Sequence, residues 1–210
     1  MGKFEKIGNL ILWGLQGFLV FLLIFQSSFA LPLAGIGHVH PLILHLPIGF
    51  GVLLLGLFAI KKQLTSFAVL AEFLLLITAI FSSLTAIFGL FLAKEGGYET
   101  SALDWHQWSG VAVSFVYFVW VIRRKNLLVG ATLGFIALVI AGHTGASITH
   151  GEDYLRFGSK TKEITSESVV FADIVQPILK AKCESCHNDQ KSKGDRKSTR
   201  LNSSHRCLSR

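Results

Sequence analysis

The sequence predicts an all-α protein, a polytopic helical membrane bundle of about five spans followed by the start of a short C-terminal domain. Apolar residues make up 51% of the chain, mean hydropathy is +0.53, and the apolar residues fall into blocks of spanning length. No stretch alternates apolar and polar residues as a half-buried strand would. Near the C-terminus, Cys183-Glu184-Ser185-Cys186-His187 has the residue order of a covalent haem c attachment site. That motif marks the final segment as a truncated c-type cytochrome domain.

The first span is Ile7–Phe25, uncharged and preceded by Lys3 and Lys6. It is as long as the hydrocarbon thickness requires and reads as a membrane anchor. The same basic start and apolar core, followed by Ser28-Phe29-Ala30, also fit a cleaved signal segment, so residues 1–30 carry both readings. The second span, Leu42–Ile60, runs uncharged to Lys61 and Lys62. The third, Ser66–Ala93, is interrupted only by Glu72. The fourth, Trp108–Ile122, is short and must draw in Asp104–Gln107 or cross a thin region of the bilayer. The fifth begins at Leu127 and ends near Ala146. Residues 38–150 thus form a four-helix membrane domain behind the N-terminal segment.

Loop charges set the expected orientation. Lys3 and Lys6, Lys61 and Lys62, and Arg123 to Lys125 occupy alternate ends of the spans, while the intervening connections are nearly free of basic residues. The positive-inside rule then puts the N-terminus in the cytoplasm and the C-terminal motif outside, in the periplasm of a bacterial inner membrane. Bacterial haem c attachment takes place in that compartment.

Residues 151–168 read as a polar linker and 169–194 as the start of the cytochrome domain. Ile174, Ile178 and Leu179 recur at helical spacing, one apolar face for a porphyrin edge, and Pro177 predicts a break or helix start nearby. Two thiols three positions apart can each add to one porphyrin vinyl group. Cys183 and Cys186 are therefore expected to bind haem c covalently, with His187 as the proximal ligand to its iron. A zinc site would need two further ligands, and only His205 and Cys207 follow. Both lie in residues 195–210, which look like the in-frame translation of a sequencing-library adapter. That tail carries a net +4 of the formal +7, so about +3 remains for residues 1–194 and the basis for a nucleic-acid partner disappears. Residues 169–194 are too few to enclose a porphyrin, and the only methionine is Met1. The sixth iron ligand is expected from a lost C-terminal part, or from a histidine of the membrane domain.

Six further histidines, His38, His40, His45, His106, His143 and His150, all fall at the outer ends of spans on this topology. Polar residues at membrane depth are costly and point to function. Three readings stand. They form an interfacial belt with Trp105 and Trp108; or His45 and His143 hold a b-type haem or metal, with His106 a further candidate ligand; or His106 or Asp104 accepts protons in a quinol-oxidising pocket. Glu72 is either protonated or bonded within the bundle, or begins a proton path continued by Ser82, Ser83 and Thr85.

The run His40-Pro41-Leu42-Ile43-Leu44-His45-Leu46-Pro47-Ile48-Gly49 resembles the opening signature of an uncharacterised family of bacterial multi-pass membrane domains. Ala93 to Tyr98, His106 to Gly110 and Ala141 to Leu155 are similar to its other landmarks. Phe171 to Leu179, the haem motif and Asn188 to Gly194 resemble the start of the planctomycete-type cytochrome c domain, a domain fused to such membrane domains. The resemblance implies an electron carrier tethered to a membrane domain. The expected function is therefore a membrane-anchored c-type cytochrome working with redox partners at the periplasmic face. The alternatives are a subunit of a quinol-oxidising or b-haem oxidoreductase and a haem-based sensor or assembly anchor. No group is placed for bond-making chemistry, so electron transfer is expected ahead of stand-alone enzyme activity.

Overall fold

A computed structural model of the chain describes residues 3–25, 34–94, 100–150, 154–155, 169–182, 187–188 and 191–192. Its described elements are nearly all helical. They are α1 (Lys3–Ile24), α2 (Ala34–Gly37), α3 (His40–Ile43), α4 (His45–Ala59), α5 (Phe67–Ala93), α6 (Thr100–Arg123), α7 (Leu127–His150) and α8 (Gln176–Lys182). A 3-10 turn, Lys61–Gln63, joins α4 towards α5, and a π turn, Val170–Val175, runs directly into α8. The chain divides into one unit of residues 1–95 and 101–145 and another of residues 96–100 and 146–210.

In the first unit, α5 is the central helix and packs against α1, α2, α3 and α4. Its buried side chains run from Ala71 to Phe91. One core cluster joins Leu12 of α1, Leu54 and Leu57 of α4, and Leu75 of α5 to Val113 and Tyr117 of α6 and Leu138 of α7. A second cluster joins Leu19 and Leu22 of α1 to Ile87 and Leu90 of α5 and Val111 of α6. Large apolar residues such as Leu10, Leu42, Val69 and Val139 stay exposed on the outside. Helices that are apolar on both their packed and their outward faces are made for hydrocarbon surroundings.

Among the described residues, four helical stretches are long and apolar enough to cross a membrane: Phe4–Ile24, Gly35–Ala59, Phe67–Ala93 and Leu127–His150. Where five spans were expected, α6 has the length but not the composition, because Asp104, His106 and Gln107 occupy its first turns. The helix does extend through Asp104–Gln107, as the short apolar run required. The second expected span is longer than Leu42–Ile60 and is assembled from α2, α3 and α4. Pro41 and Pro47 enter near the starts of α3 and α4, where a missing N–H costs no helical hydrogen bond.

The α6–α7 connection is tight. Arg124 and Asn126 both take left-handed backbone conformations, with φ of 51° and 50°. Asn tolerates that region, and the Arg124 side chain pairs with Glu5. The Trp120 Nε1–H donates to the Asn126 carbonyl at 3.3 Å and closes the turn.

The second unit includes the π turn and α8, then a two-residue antiparallel pairing of His187 with Ser192 and Asn188 with Lys191. Pro177 is the second residue of α8, so the expected break is a change of helical register. The wider π turn ends where proline's ring would clash with an α-helical carbonyl four residues back.

Candidate haem and histidine sites

The run Cys183-Glu184-Ser185-Cys186-His187, expected to attach haem, follows α8 directly in the sequence. Cys183 to Cys186 lie outside the described residues, as do His205, Cys207 and the whole adapter-like tail, and of His187 only the backbone placement in the short pairing is described. The expected linker is outside them too, except Tyr154 and Leu155. What is described is the helical segment leading into the motif. Val170, Phe171, Val175, Ile178 and Leu179 are all exposed on it, while Ile174 is half-buried. The residues that follow in the sequence, two thiols and an imidazole, are of the types that covalent haem c attachment uses.

The histidines of the membrane domain separate into two groups. The structure pairs His106 of α6 with His40 of α3. Their ring centroids are 6.0 Å apart and the ring planes cross at 79°. The His40 Nδ1–H donates to the Thr85 carbonyl of α5 at 2.9 Å. The His106 Nδ1–H donates to the Ala141 carbonyl of α7 at 3.1 Å, with Thr144 Oγ1 at 3.3 Å. A carbonyl oxygen can only accept, so each bond puts a proton on Nδ1, and in the neutral ring Nε2 then carries the lone pair. Four segments thus build one end of the bundle around two imidazoles.

Small residues make room for both rings. A Cβ at Gly89 would lie 3.1 Å from the His40 Cε1 and Nδ1, and one at Gly145 would lie 2.8 Å from the His106 Cε1. Ser109 Oγ, which donates to the His106 carbonyl at 3.0 Å, also sits 3.1 Å from Thr144 Oγ1. This second layer ties α6 to α7 just behind the His106 ring.

His45 and His143, the residues expected to share a b-type haem or metal, are both exposed. His106 is met by His40 instead, which starts the helix one turn before His45. Asp104 is exposed as well, and the His150 ring packs against Tyr154 at 6.0 Å. No three His, Cys, Asp or Glu side chains converge as a metal-ligand set among the described residues. Residue order groups His40 with its neighbours and offers no means of choosing it. The usable signal is the coincidence of His40 and His106 with glycines in the two long helices that face them.

Glu72 lies at the other end of α5 from Thr85. Its Oε2 is 3.8 Å from Arg124, which also pairs with Glu5. These three groups line a cavity of about 360 Å³ whose other walls include Phe4, Phe73 and Leu76. Of the residues expected to continue a proton path, Thr85 donates to the Phe81 carbonyl of its own helix, Ser83 donates to Ala79 and joins a buried cluster with Gln16 and Ser114, and Ser82 Oγ is buried with no hydrogen-bond partner among the described residues.

Comparison with known proteins adds one result. No curated protein and no solved structure matches the chain. Residues 37–156 match the family described as "Predicted membrane protein (DUF2231)". The match covers His40, Thr85, Gly89, His106, Ala141 and Gly145, and stops before the haem motif. Over more than half its length, then, this chain is a DUF2231 sequence, and it belongs to that family of predicted membrane proteins.

Proposed function

We propose that the protein is a membrane-anchored c-type cytochrome that carries electrons on the periplasmic face of a bacterial inner membrane. The observation that carries this reading is Cys183-Glu184-Ser185-Cys186-His187, placed directly after a helix whose apolar face is exposed. Cys183 and Cys186 hold the haem by thioether bonds, and His187 binds its iron. When bound, the haem supplies reversible one-electron transfer at a potential set by its axial ligands and exposure. Val170, Phe171, Ile178 and Leu179 shield one edge of the group from water.

The orientation rests on charge. Lys61, Lys62, Arg123, Arg124 and Lys125 lie at the connections expected inside, so α6 serves as a fifth span and the C-terminal unit lies outside. In that arrangement Trp105 and Trp108, both exposed on the first turns of α6, form an interfacial belt. The α1 helix stays with the domain as an anchor, because Gln16 donates to Ser83 and Ser114 and Leu12 and Leu19 are fully buried.

The test is chemical. Expressed with the periplasmic haem-attachment machinery, the protein is expected to keep its haem through denaturing electrophoresis and acidified-acetone extraction. The Cys183→Ala, Cys186→Ala variant is expected to lose it. Complete extraction of colour from the parent protein would refute the proposal. A second reading, an oxidoreductase subunit with a further cofactor or a quinol site in the membrane domain, is favoured by the His40–His106 pair.

A further inference from the structure

We propose that His40 and His106 are the protein ligands of one transition-metal centre, bound through their Nε2 atoms inside the membrane domain. This proposal is independent of the covalent haem. It rests on four features of the site.

First, both Nδ1 atoms are already committed to backbone carbonyls, Thr85 at 2.9 Å and Ala141 at 3.1 Å. Metal-bound imidazoles are oriented in this way, with the far nitrogen donating to a carbonyl or carboxylate, which fixes the tautomer and ring position. Second, neither Nε2 has a hydrogen-bond partner among the described residues, and the two rings do not bond to each other. Each Nε2 of the neutral rings therefore keeps an uncommitted lone pair that a metal can accept. Third, the separation fits. A metal held at about 2.0–2.1 Å by two imidazoles places the ring centres roughly 5–6.5 Å apart, depending on the angle at the metal, and the observed separation of 6.0 Å falls in that range. Fourth, Gly89 and Gly145 leave room for the rings where any Cβ would push them aside.

Two imidazoles from separate helices suffice for haem iron, whose other four ligands come from the porphyrin. They also suit a bare copper or zinc ion that completes its coordination with water or substrate. The shared chemistry is a metal accepting two neutral imidazoles, and the experiment separates the two sources.

The full chain carrying Cys183→Ala and Cys186→Ala is purified in detergent, so that no covalent haem contributes. It is analysed for extractable porphyrin and for metals, then titrated separately with hemin, Cu(II) and Zn(II). One equivalent of extractable haem with a low-spin spectrum identifies the porphyrin source. One equivalent of copper or zinc without porphyrin identifies the bare ion. His40→Gln and His106→Gln, which keep a group able to donate to the carbonyls, are each expected to abolish binding. Gly145→Ala, which displaces the His106 ring, is expected to weaken it about 10–100-fold. His106→Gly should regain uptake of whichever probe the parent binds when imidazole is added, an effect that a purely structural histidine would not show. Parent protein that binds none of the three probes, Gln variants that bind as the parent does, or a His106→Gly variant that imidazole leaves unchanged would each overturn the proposal.

Discussion

Tyr117 shows how single residues are constrained inside this bundle. It has 0% exposure, and its hydroxyl has no hydrogen-bond partner among the described residues. The ring fits because a Cβ at Gly134 would lie 2.4 Å from its Cζ, and a Cβ at Gly51 would lie 3.0 Å from its hydroxyl. Removing an unpaired buried hydroxyl relieves a desolvation cost without creating a void. Tyr117→Phe is therefore expected to be neutral or stabilising, whereas Tyr117→Ala should cost about 3–5 kcal/mol from the cavity it leaves. Gly134→Ala should cost about 1–3 kcal/mol by overpacking the same spot. Unfolding in mixed micelles at increasing denaturing detergent orders the three variants. A Tyr117→Phe protein much less stable than the parent would show that the hydroxyl has a partner after all.

Between elements, a few polar contacts pin helices that apolar surface alone would leave free to rotate or slide. The Gln16 side chain of α1 reaches Ser83 Oγ of α5 at 2.9 Å and Ser114 Oγ of α6 at 2.6 Å, and the two serine hydroxyls are 3.0 Å apart. Lipid chains compete fully with apolar side chains for helix surfaces, so interhelical hydrogen bonds and close packing fix the pairing. Gln16→Leu is expected to cost about 0.6–1.7 kcal/mol, read by the same detergent titration, and to loosen α1 from the rest. At the other end, Glu72 and Glu5 share Arg124 at partly exposed positions, 44% and 26% for the two carboxylates. Exposed pairs contribute at most about 1 kcal/mol. Glu72→Gln should therefore change stability little and leave proton uptake coupled to haem reduction unaltered. Abolished uptake in that variant would favour the proton-path reading.

At the scale of the whole molecule, the arrangement of basic loops predicts the topology. A reporter active only outside the cytoplasm should be silent when fused after Lys62 or Lys125 and active when fused after His150. The reverse pattern would place the haem motif in the cytosol and remove the basis for covalent attachment there. The helices themselves are legible in residue order alone. Apolar blocks bounded by Lys61-Lys62 and Arg123-Arg124-Lys125 mark α4, α5 and α7 to within about four residues, whereas α6 begins at Thr100, well before the expected Trp108. Even the extension of α6 through Asp104–Gln107 follows from the length a span requires. The site is legible only in outline. Histidines at one end of the bundle are visible as a set, but the set contains His45 and His143, which are exposed, alongside His40, which faces His106.

The division has a physical origin. A helix in hydrocarbon satisfies its own backbone hydrogen bonds, so the existence, length and ends of each span are local properties that composition and charge along the chain determine. The order of two thiols and an imidazole is likewise a local fact, written in five consecutive residues. Which face of each helix turns inward is not local. It depends on where glycines admit a ring, where Gln16 finds Ser83 and Ser114, and how α3, α5, α6 and α7 meet, since apolar surface is equally content against lipid. Only the tertiary structure could choose His40 over His45, because that choice is one of rotation about a helix axis, to which hydropathy is blind.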